Sequence, residues 1–486
     1  MSKTEQAFSA IRWNSLITFT RVILQTLQLL VLTRLIEPAD FGVMAMVLSV
    51  TAFIQFFADL GVSTTIIYSQ NISKQALSTL YWLNVGTGAL LSVLVWFLSD
   101  TVADFYKTPA LAWPLALAGL SFFFLSLGQQ YKVLGEKRLA FKEISISELS
   151  SALLSTSLTI GAAFFGFGVY SLVIGVVSLA LFNSLFYFLF ARGGWLPSLT
   201  FKFREALPYM KGGMYLLGTT LSNTLTVQAD IIILGRLVGE TALGFYSVPR
   251  ELSLKLMYAT NPIITRVGTA IMANAQNDKT LLRRIYLSTI LMTSSVNFPI
   301  YGAMAIFRHE TIDVVFGARW AASADLLGVL AVWGMFRSLG SPVGSLFYGT
   351  GQVRMALAQS LLVALLIVPT IYIGGHWGTI GAATALAAFY FCFIFALWPF
   401  VIKPLTGAGL WEYTRQWLVP LILVAIASAL ALVAASPFEL SLVRLVVGVA
   451  TGGIIYLGLS WFFNREWCNA ILRLTGLNKR LFARQA

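Results

Sequence analysis

Long apolar runs recur along the whole chain and are separated by short polar segments. Each run has roughly 20 residues, enough to cross a hydrocarbon core of about 30 Å as an α-helix. The pattern predicts an all-α integral membrane protein with about 14 transmembrane helices, whose ends are placed to within about 2–4 residues. The predicted spans are 12–35, 41–67, 76–98, 110–131, 145–166, 169–191, 213–235, 242–270, 282–307, 322–347, 355–374, 379–402, 415–435 and 442–463.

Composition supports the membrane assignment and narrows the class of protein. Hydrophobic residues make up 58% of the chain and charged residues 11%, with a mean hydropathy of +0.80. Soluble domains carry about 25% charged residues. The segments between spans are short, and even the longest inner one, 192–212, is too small to fold as a domain. This counts against a membrane-embedded glycosyltransferase, polymerase or ligase.

The net charge of +13 follows the expected membrane topology. If the N-terminus is cytoplasmic, 22 of the 33 Lys and Arg residues fall on that side and six on the other, while five lie within spans. Cytoplasmic loops of membrane proteins carry such an excess of positive charge. We therefore expect both termini in the cytoplasm, and no nucleic-acid partner.

Two phrases indicate an internal repeat. TRLIEPADFG at 33–42 resembles GRLVGETALG at 235–244, an offset of 202 positions. Two further matches follow in the same order: FLSLG at 124 with FRSLG at 336, and GEKRLA at 135 with GQVRMA at 351. The order predicts two pseudo-symmetric six-helix lobes in the same orientation, around a central cavity, with two extra C-terminal helices. The predicted domains are 1–204, 205–405 and 406–486.

Polar residues form stripes along three of the predicted helices. Spacings of three and four residues place each stripe on one helix face. Because such stripes are costly in lipid, we expect them to face a wet cavity between the lobes. The stripes comprise Asn14, Thr18, Arg21, Gln25 and Gln28; Thr51, Gln55, Asp59 and Ser63; and Thr219, Asn223, Thr226 and Asp230. The residues expected to face a polar ligand are Gln25, Gln28, Gln55 and Asn223.

Five cations remain within the spans, and each would cost about 2.5–3.5 kcal/mol at a lipid-facing helix centre. They are Arg21, Arg250, Lys255, Arg266 and Arg337. Guanidinium groups bind phosphate in a bidentate manner, so Arg21, Arg250 and Arg337, with Lys255, form a candidate diphosphate site. Two alternatives stay open: Lys255 is four residues after Glu251 and can pair with it, and Arg266 can reach the interface.

The acidic residues expected to act within the spans are Asp59, Asp230 and Glu251. They could carry H⁺, coordinate Na⁺ as a coupling ion, or hold the arginines in place, and these uses stay open. The sequence has no GxxxxGK[ST] phosphate loop and no His/Cys/carboxylate set with metal-ligand spacing. We therefore expect a non-enzyme without a cofactor or resident metal.

The phrase RLIEPADFG after a polar first helix, LGEKRLAF at 134–141 and YGTGQ at 348–352 resemble the polysaccharide transporter (Wzx-type) flippases. These belong to the multidrug/oligosaccharidyl-lipid/polysaccharide exporter superfamily, and the resemblance covers about residues 5–405. It implies alternating access and transfer of an undecaprenyl-diphosphate-linked oligosaccharide, as a unit of exopolysaccharide, capsule or O-antigen. The implied setting is the bacterial cytoplasmic membrane, with the bilayer, a polysaccharide polymerase and export machinery as partners.

Other functions stay open at this level. Lipid II-type peptidoglycan precursor flippases resemble the chain in having fourteen helices and a cationic cavity, and there the last two helices form a groove for the lipid tail. A cation-coupled multidrug antiporter of the same superfamily would need a more acidic cavity. A membrane-embedded glycan polymerase would need a larger outer loop.

Overall fold

The computed structural model describes residues 20–21, 23–58, 62–69 and 72–474. Every regular element in these ranges is helical, so the expected all-α membrane fold is confirmed. Helices satisfy their own backbone N–H and C=O groups, which a chain in hydrocarbon requires. The chain divides into two compact units, Met1–Ser247 and Val248–Ala486. The domain division predicted at 204/205 follows the sequence repeat and stays a prediction.

The first unit is a helical bundle in which α5 packs against both α4 and α7, and α6 packs against α7. Helix α2 lies on α5 and α7. The helices are α1 (Ile23–Leu35), α2 (Pro38–Ala58), α3 (Val62–Tyr68), α4 (Lys74–Tyr106), α5 (Ala112–Lys137), α6 (Phe141–Phe164), α7 (Val169–Phe186) and the beginning of α8 (Phe203–Asn274).

The second unit contains the end of α8 and the remaining helices. Helix α9 packs against α11 and α16, α14 packs against α11 and α13, and α16 packs against α17. The helices are α9 (Lys279–Ile306), α10 (Arg308–Val315), α11 (Ala324–Ser338), α12 (Gly340–Gly349), α13 (Val353–Gly375), α14 (Gly378–Leu397), α15 (Lys403–Thr406), α16 (Leu410–Ala435), α17 (Ser441–Phe463) and α18 (Arg465–Leu474).

Eleven segments in the described ranges are long and apolar enough to cross a membrane. Helices α1 and α6 fall outside these eleven, although both coincide with predicted spans. The predicted spans 213–235 and 242–270 both lie in α8, which breaks at Gly239 with φ 78° and ψ 176°. Only glycine adopts this conformation readily, so the break separates two helical segments. The number fourteen itself stays a prediction.

Two glycines of the repeated phrase make a reciprocal contact inside the first unit. A Cβ atom on Gly42 would overlap the carbonyl oxygen of Glu240, and one on Gly244 would overlap the carbonyl oxygen of Pro38. By the offset of 202, Gly42 corresponds to Gly244 and Pro38 corresponds to Glu240. The two contacts are therefore equivalent positions of the repeat. The backbones approach so closely that no side chain fits between them, as at small-residue helix crossings in membranes.

A second repeated feature lies at the C-terminal ends of α7 in the first unit and α14 in the second. Helix α7 runs into a π-helical segment, Tyr187–Ala191, and α14 into another, Trp398–Ile402. The two segments start 211 positions apart. Each is followed by a cation that stacks on a ring: Arg192 lies 4.8 Å from the Phe188 centroid, and Lys403 lies 5.3 Å from that of Trp398. The offset falls within the range of the sequence repeat and supports it.

At three of the prolines in the second unit, Pro299 in α9, Pro342 in the first turn of α12 and Pro420 in α16, a backbone N–H is missing. Proline has no N–H, so the carbonyl four residues earlier loses its partner within the helix. In each case a side chain from another helix donates to that carbonyl. Asn261 donates to Ser338 O (3.1 Å) before Pro342, Tyr456 to Ser295 O (3.0 Å) before Pro299, and Ser294 to Gln416 O (3.0 Å) before Pro420.

Candidate functional site

Three donors in the first unit converge on the carboxylate of Glu148. Nη1 of Arg21 lies 2.7 Å from Oε2, and Nζ of Lys132 lies 2.9 Å from Oε1. The hydroxyl of Tyr187 donates to Oε1 over 3.0 Å. The donors come from three parts of the chain: the segment before α1, helix α5 and the π-helical segment after α7. We call these four residues the Glu148 cluster.

The Glu148 cluster is partly open. The side chain of Glu148 is 18% exposed, whereas those of Arg21 and Lys132 are 34% and 31% exposed. Partial removal from water strengthens each of these charge interactions. Glu136, one helical turn from Lys132 on α5, adds a negative charge near both Lys132 and Glu148. Within the described residues it forms no ion pair.

Small residues on α6 hold Glu148 in place. Ser155 donates to the carbonyl of Gly175 on α7 over 2.7 Å, and a Cβ atom on Gly175 would lie only 2.5 Å from Oγ1 of Thr159. Serine, threonine and glycine allow two helices to approach closely and to bond across their interface. Since Glu148 precedes these positions on the same face of α6, close packing with α7 brings it to Tyr187.

The polar face of α1 also meets α6. Oγ1 of Thr156 donates to Oε1 of Gln28 over 3.0 Å, and Gln25 is half-buried. Arg21 and Gln28 therefore both have partners on one helix of the first unit. The role predicted for Gln25 and Gln28 in facing a ligand stays a prediction.

The other polar residues predicted in the first unit differ in exposure. Asp230 is buried, and its carboxylate accepts hydrogen bonds from the Tyr246 hydroxyl and the Ile231 amide, each over 2.8 Å. Asn223 and Gln55 are exposed. Asp59 lies outside the described residues.

Arg337 is held in the second unit by aromatic side chains. Its Nη1 donates to the Tyr390 hydroxyl over 2.7 Å, and its guanidinium lies 5.1 Å from the Trp333 ring and 5.4 Å from the Tyr390 ring. Cation–π contacts stabilise a cation without neutralising it. No carboxylate in the described part of the chain lies within 4 Å of Arg337, so its positive charge is retained.

The other predicted cations of the second unit lie on α8. Arg250 is buried, with 5% of its surface exposed, and it has interactions within the chain. Lys255 forms an ion pair with Glu251, 3.7 Å apart, one turn away on the same helix. The pairing that the sequence left as an alternative is therefore formed, and it neutralises Lys255 locally.

A buried amide network joins three helices of the second unit. Asn297 on α9 donates to Oδ1 of Asn261 on α8 over 2.9 Å and accepts from the Thr260 hydroxyl over 2.6 Å. Asn261 in turn donates to Ser341 Oγ over 2.6 Å. Both amides are buried and have hydrogen-bond partners, as buried polar groups require. The network fixes α8 against α9 and α12.

Glu148 lies within the predicted span 145–166 but is not among the three acidic residues predicted to serve the cavity. Arg21 pairs with Glu148, and the uses predicted for Asp59, Asp230 and Glu251 stay predictions. A signal was present, because Glu148, Ser151, Ser155 and Thr159 follow spacings of three and four and so share one helix face. Lys132 is one of the 22 Lys and Arg residues predicted on the cytoplasmic side, and the sequence predicts no further role for it. Among the described residues, no group of three His, Cys, Asp or Glu could hold a metal ion.

A family model described as "Polysaccharide biosynthesis protein" matches residues 31–325. The lipopolysaccharide biosynthesis protein WzxC of Escherichia coli (strain K12) is 29% identical, over 94% of this chain and 89% of WzxC. The teichuronic acid biosynthesis protein TuaB of Bacillus subtilis (strain 168) is also 29% identical, over 94% of this chain and 96% of TuaB.

Solved membrane transporters share the fold. A structure of the lipid II flippase MurJ in an inward closed conformation superimposes with a TM-score of 0.74, covering 94% of this chain and 99% of MurJ at 14% identity. An inward-facing multidrug resistance MATE family transporter gives 0.60, covering 80% and 96% at 13% identity. The family match extends over more than half of the residues, and the chain belongs to this family of polysaccharide biosynthesis proteins, built on a transporter fold.

Proposed function

We propose that the protein is a flippase that moves an undecaprenyl-diphosphate-linked oligosaccharide across the bacterial cytoplasmic membrane by alternating access. The family match and the two relatives from polysaccharide biosynthesis support the class of substrate. The fold shared with MurJ supports transport of a lipid-linked molecule. Such a protein moves its substrate without making or breaking a bond in it.

The observation that carries the proposal is the convergence of Arg21 and Lys132 at one point among membrane helices. Lys132 lies near the end of α5, which continues into the cations Lys137, Arg138 and Lys142. The positive-inside rule puts that end on the cytoplasmic side. We infer that the Glu148 cluster receives the diphosphate as substrate enters from the inner leaflet.

An oligosaccharide substrate is favoured over lipid II and over drugs. Sequence identity to the polysaccharide biosynthesis proteins WzxC and TuaB is 29%, compared with 14% to MurJ and 13% to the multidrug transporter. The retained charge of Arg337 also suits an anionic substrate better than a cationic drug. We propose Arg21, Arg250 and Arg337 as ligands of the diphosphate along its route.

Transport against a gradient needs an energy source, and we propose H⁺ or Na⁺ as the coupling ion. The acidic residues predicted for this role are Asp59, Asp230 and Glu251. We further propose cytoplasmic N- and C-termini, based on the distribution of Lys and Arg. The proposed partners are the bilayer, the lipid-linked substrate, and the polymerase and export machinery that use the product.

A deletion strain tests the proposed function directly. We expect lipid-linked oligosaccharide to accumulate in the inner leaflet and surface polysaccharide to disappear, because synthesis continues without transfer. The measurement is the accessibility of labelled intermediates on the two sides of the membrane. Normal transfer of these intermediates, together with increased sensitivity to drugs, would instead indicate an antiporter.

Replacing Arg21 by alanine tests the cluster. Arg21→Ala removes the guanidinium that can bind phosphate, and we expect export to fall at least about tenfold, equivalent to 1.4 kcal/mol of lost interaction, at normal protein abundance. Lys202→Ala is the matched control, because Lys202 belongs to an exposed ion pair with Glu205. Unchanged export in Arg21→Ala would remove Arg21 from the substrate route.

A further inference from the structure

We propose that Glu148 is an exchangeable counter-ion. Its carboxylate occupies the position between Arg21 and Lys132 at which the substrate diphosphate binds, and it leaves that position with a proton when the diphosphate enters. The proposal rests on the proposed function. It adds a binding site for the diphosphate, a carboxylate of the protein that competes for that site, and a way to couple transport to protons.

The geometry of the Glu148 cluster suits a phosphate group. A carboxylate presents two oxygens to Arg21 and Lys132, at 2.7 and 2.9 Å, and Tyr187 provides a third donor at 3.0 Å. Each phosphorus of a diphosphate esterified at both ends carries two non-bridging oxygens, the same number as a carboxylate, and binds guanidinium and ammonium groups by the same charge-assisted bonds. The three donors that hold Glu148 can therefore hold phosphate without a change of partners.

The exposure of the cluster permits the exchange. Arg21 and Lys132 keep about a third of their side-chain surface open, whereas Glu148 is the most enclosed of the three. An incoming anion thus meets the cations from the open side. The glutamate side chain has rotatable bonds, so its carboxylate can move away while its backbone stays fixed in α6.

Electrostatics require a proton to accompany the exchange. Once Arg21 and Lys132 bind phosphate, Glu148 loses both cations and faces a negatively charged neighbour, which favours its neutral form. A proton from solution forms an O–H bond on Glu148, and no bond in the substrate is broken. Substrate binding is thereby linked to proton uptake.

The charged and titratable groups around Glu148 agree with this role. Arg21 from the segment before α1, Lys132 and Glu136 from α5, and Tyr187 from the π-helical segment face it. Glu136 forms no ion pair with either cation in the described structure and cannot act as the competitor from its present position. It nevertheless provides a second carboxylate whose charge interacts with Lys132 and Glu148.

Binding of farnesyl diphosphate to the purified full-length protein tests the proposal. Calorimetry in two buffers of different ionisation enthalpy measures the net uptake of protons. We expect uptake with the unmodified protein, and for Glu148→Gln about tenfold tighter binding at pH 7.5 with the uptake reduced to that of the ligand itself. Glu136→Gln, the matched control, should keep the proton uptake of the unmodified protein.

Infrared difference spectroscopy of the unmodified protein provides a readout that does not depend on how Glu148→Gln folds. A band from a protonated carboxylic acid should appear when farnesyl diphosphate binds, and it should persist in Glu136→Gln. Binding without this band or without proton uptake would overturn the role of Glu148 alone. If the unmodified protein does not bind the diphosphate at all, the proposed function fails as well.

Discussion

The partners of each cation determine what that cation can do. Arg21 and Lys132 share one carboxylate, Lys255 has a carboxylate one turn away, and Arg337 has two aromatic rings and a hydroxyl. A cation paired with a carboxylate must exchange that partner before it can bind phosphate. Arg337 can bind phosphate while its aromatic contacts remain in place.

Substitution of Arg337 distinguishes a transport role from a packing role. Arg337→Met keeps a long side chain against Trp333 but removes the charge, so we expect export to fall about tenfold or more with little change in melting temperature. Tyr390→Phe removes only the hydrogen bond, and we expect a smaller loss of export.

The control for Arg337 is Arg308→Met, because Arg308 forms an ion pair with Asp325, whose side chain is 62% exposed. We expect it to leave export unchanged. If Arg337→Met lowers the melting temperature in proportion to its loss of export, the arginine acts only in packing. Export rates and melting temperatures of purified variants provide the comparison.

At the residue scale, the sequence identifies the cations within the membrane spans better than it identifies the residues that they contact. Arg21 and Arg337 stand out because cations are rare in apolar spans, and the pairing of Glu251 with Lys255 follows from their separation by four residues. Arg21 and Glu148 are 127 positions apart, and no local pattern connects them. Only the packing of α6 with its neighbours brings them together.

At the scale of helices, Pro299, Pro342 and Pro420 each depend on a neighbouring helix. The carbonyls of Ser338, Ser295 and Gln416 each accept a side-chain hydrogen bond from another helix. In hydrocarbon, a carbonyl without a partner costs several kcal/mol. Each of these three prolines therefore leaves a carbonyl that ties its helix to one neighbouring helix.

A double-mutant cycle tests this account at Pro299. Tyr456→Phe removes the donor to Ser295 O and should lower the free energy of unfolding by about 1 kcal/mol. In a Pro299→Ala background, the alanine amide can bond to that carbonyl, so the same substitution should cost much less. Reversible unfolding in detergent measures the four proteins. Equal costs in both backgrounds would contradict the proposed link.

The predicted spans 282–307 and 322–347 contain Pro299 and Pro342, so the sequence shows where a backbone N–H is missing, because apolar length and proline are local features. It could not predict the donors. Tyr456 is 161 positions from Ser295 and Asn261 is 77 positions from Ser338. Nothing in the local sequence around either proline indicates which helix will supply the hydrogen bond.

At the scale of the whole molecule, the internal repeat is supported by features beyond the matched phrases. The π-helical segments that follow α7 and α14 start 211 positions apart and each precedes a stacked cation. Gly42 in the first copy of the matched phrase touches Glu240 in the second copy, and Gly244 in the second copy touches Pro38 in the first. Sequence comparison could align the two phrases, but it could not show that they meet.

Adding one methyl group at this crossing tests its importance. Gly42→Ala and Gly244→Ala each place a Cβ on a carbonyl oxygen of the opposing backbone, and each should lower the free energy of unfolding by about 1–3 kcal/mol. Because the contact is reciprocal, we expect similar losses. Gly86→Ala is the matched control, since its Cβ would have no atom within 4 Å.

Thermal unfolding of the three purified variants measures these effects. A stable Gly42→Ala protein would show that the backbones separate easily and that the crossing is loose. A large loss for one glycine and none for the other would show that only one side of the contact is tightly packed. Either result would contradict the reciprocal geometry.

The contact between Gly42 and Gly244 has the form of a homodimer interface. In a two-fold symmetric dimer, position i of one subunit meets position j of the other, and j meets i. Here both partners belong to one polypeptide, as expected if a gene for a self-associating half-length protein was duplicated and fused. After fusion the two sides can mutate separately, and Pro38 in one copy already corresponds to Glu240 in the other. Selection would therefore preserve the two glycines while the residues around them diverge.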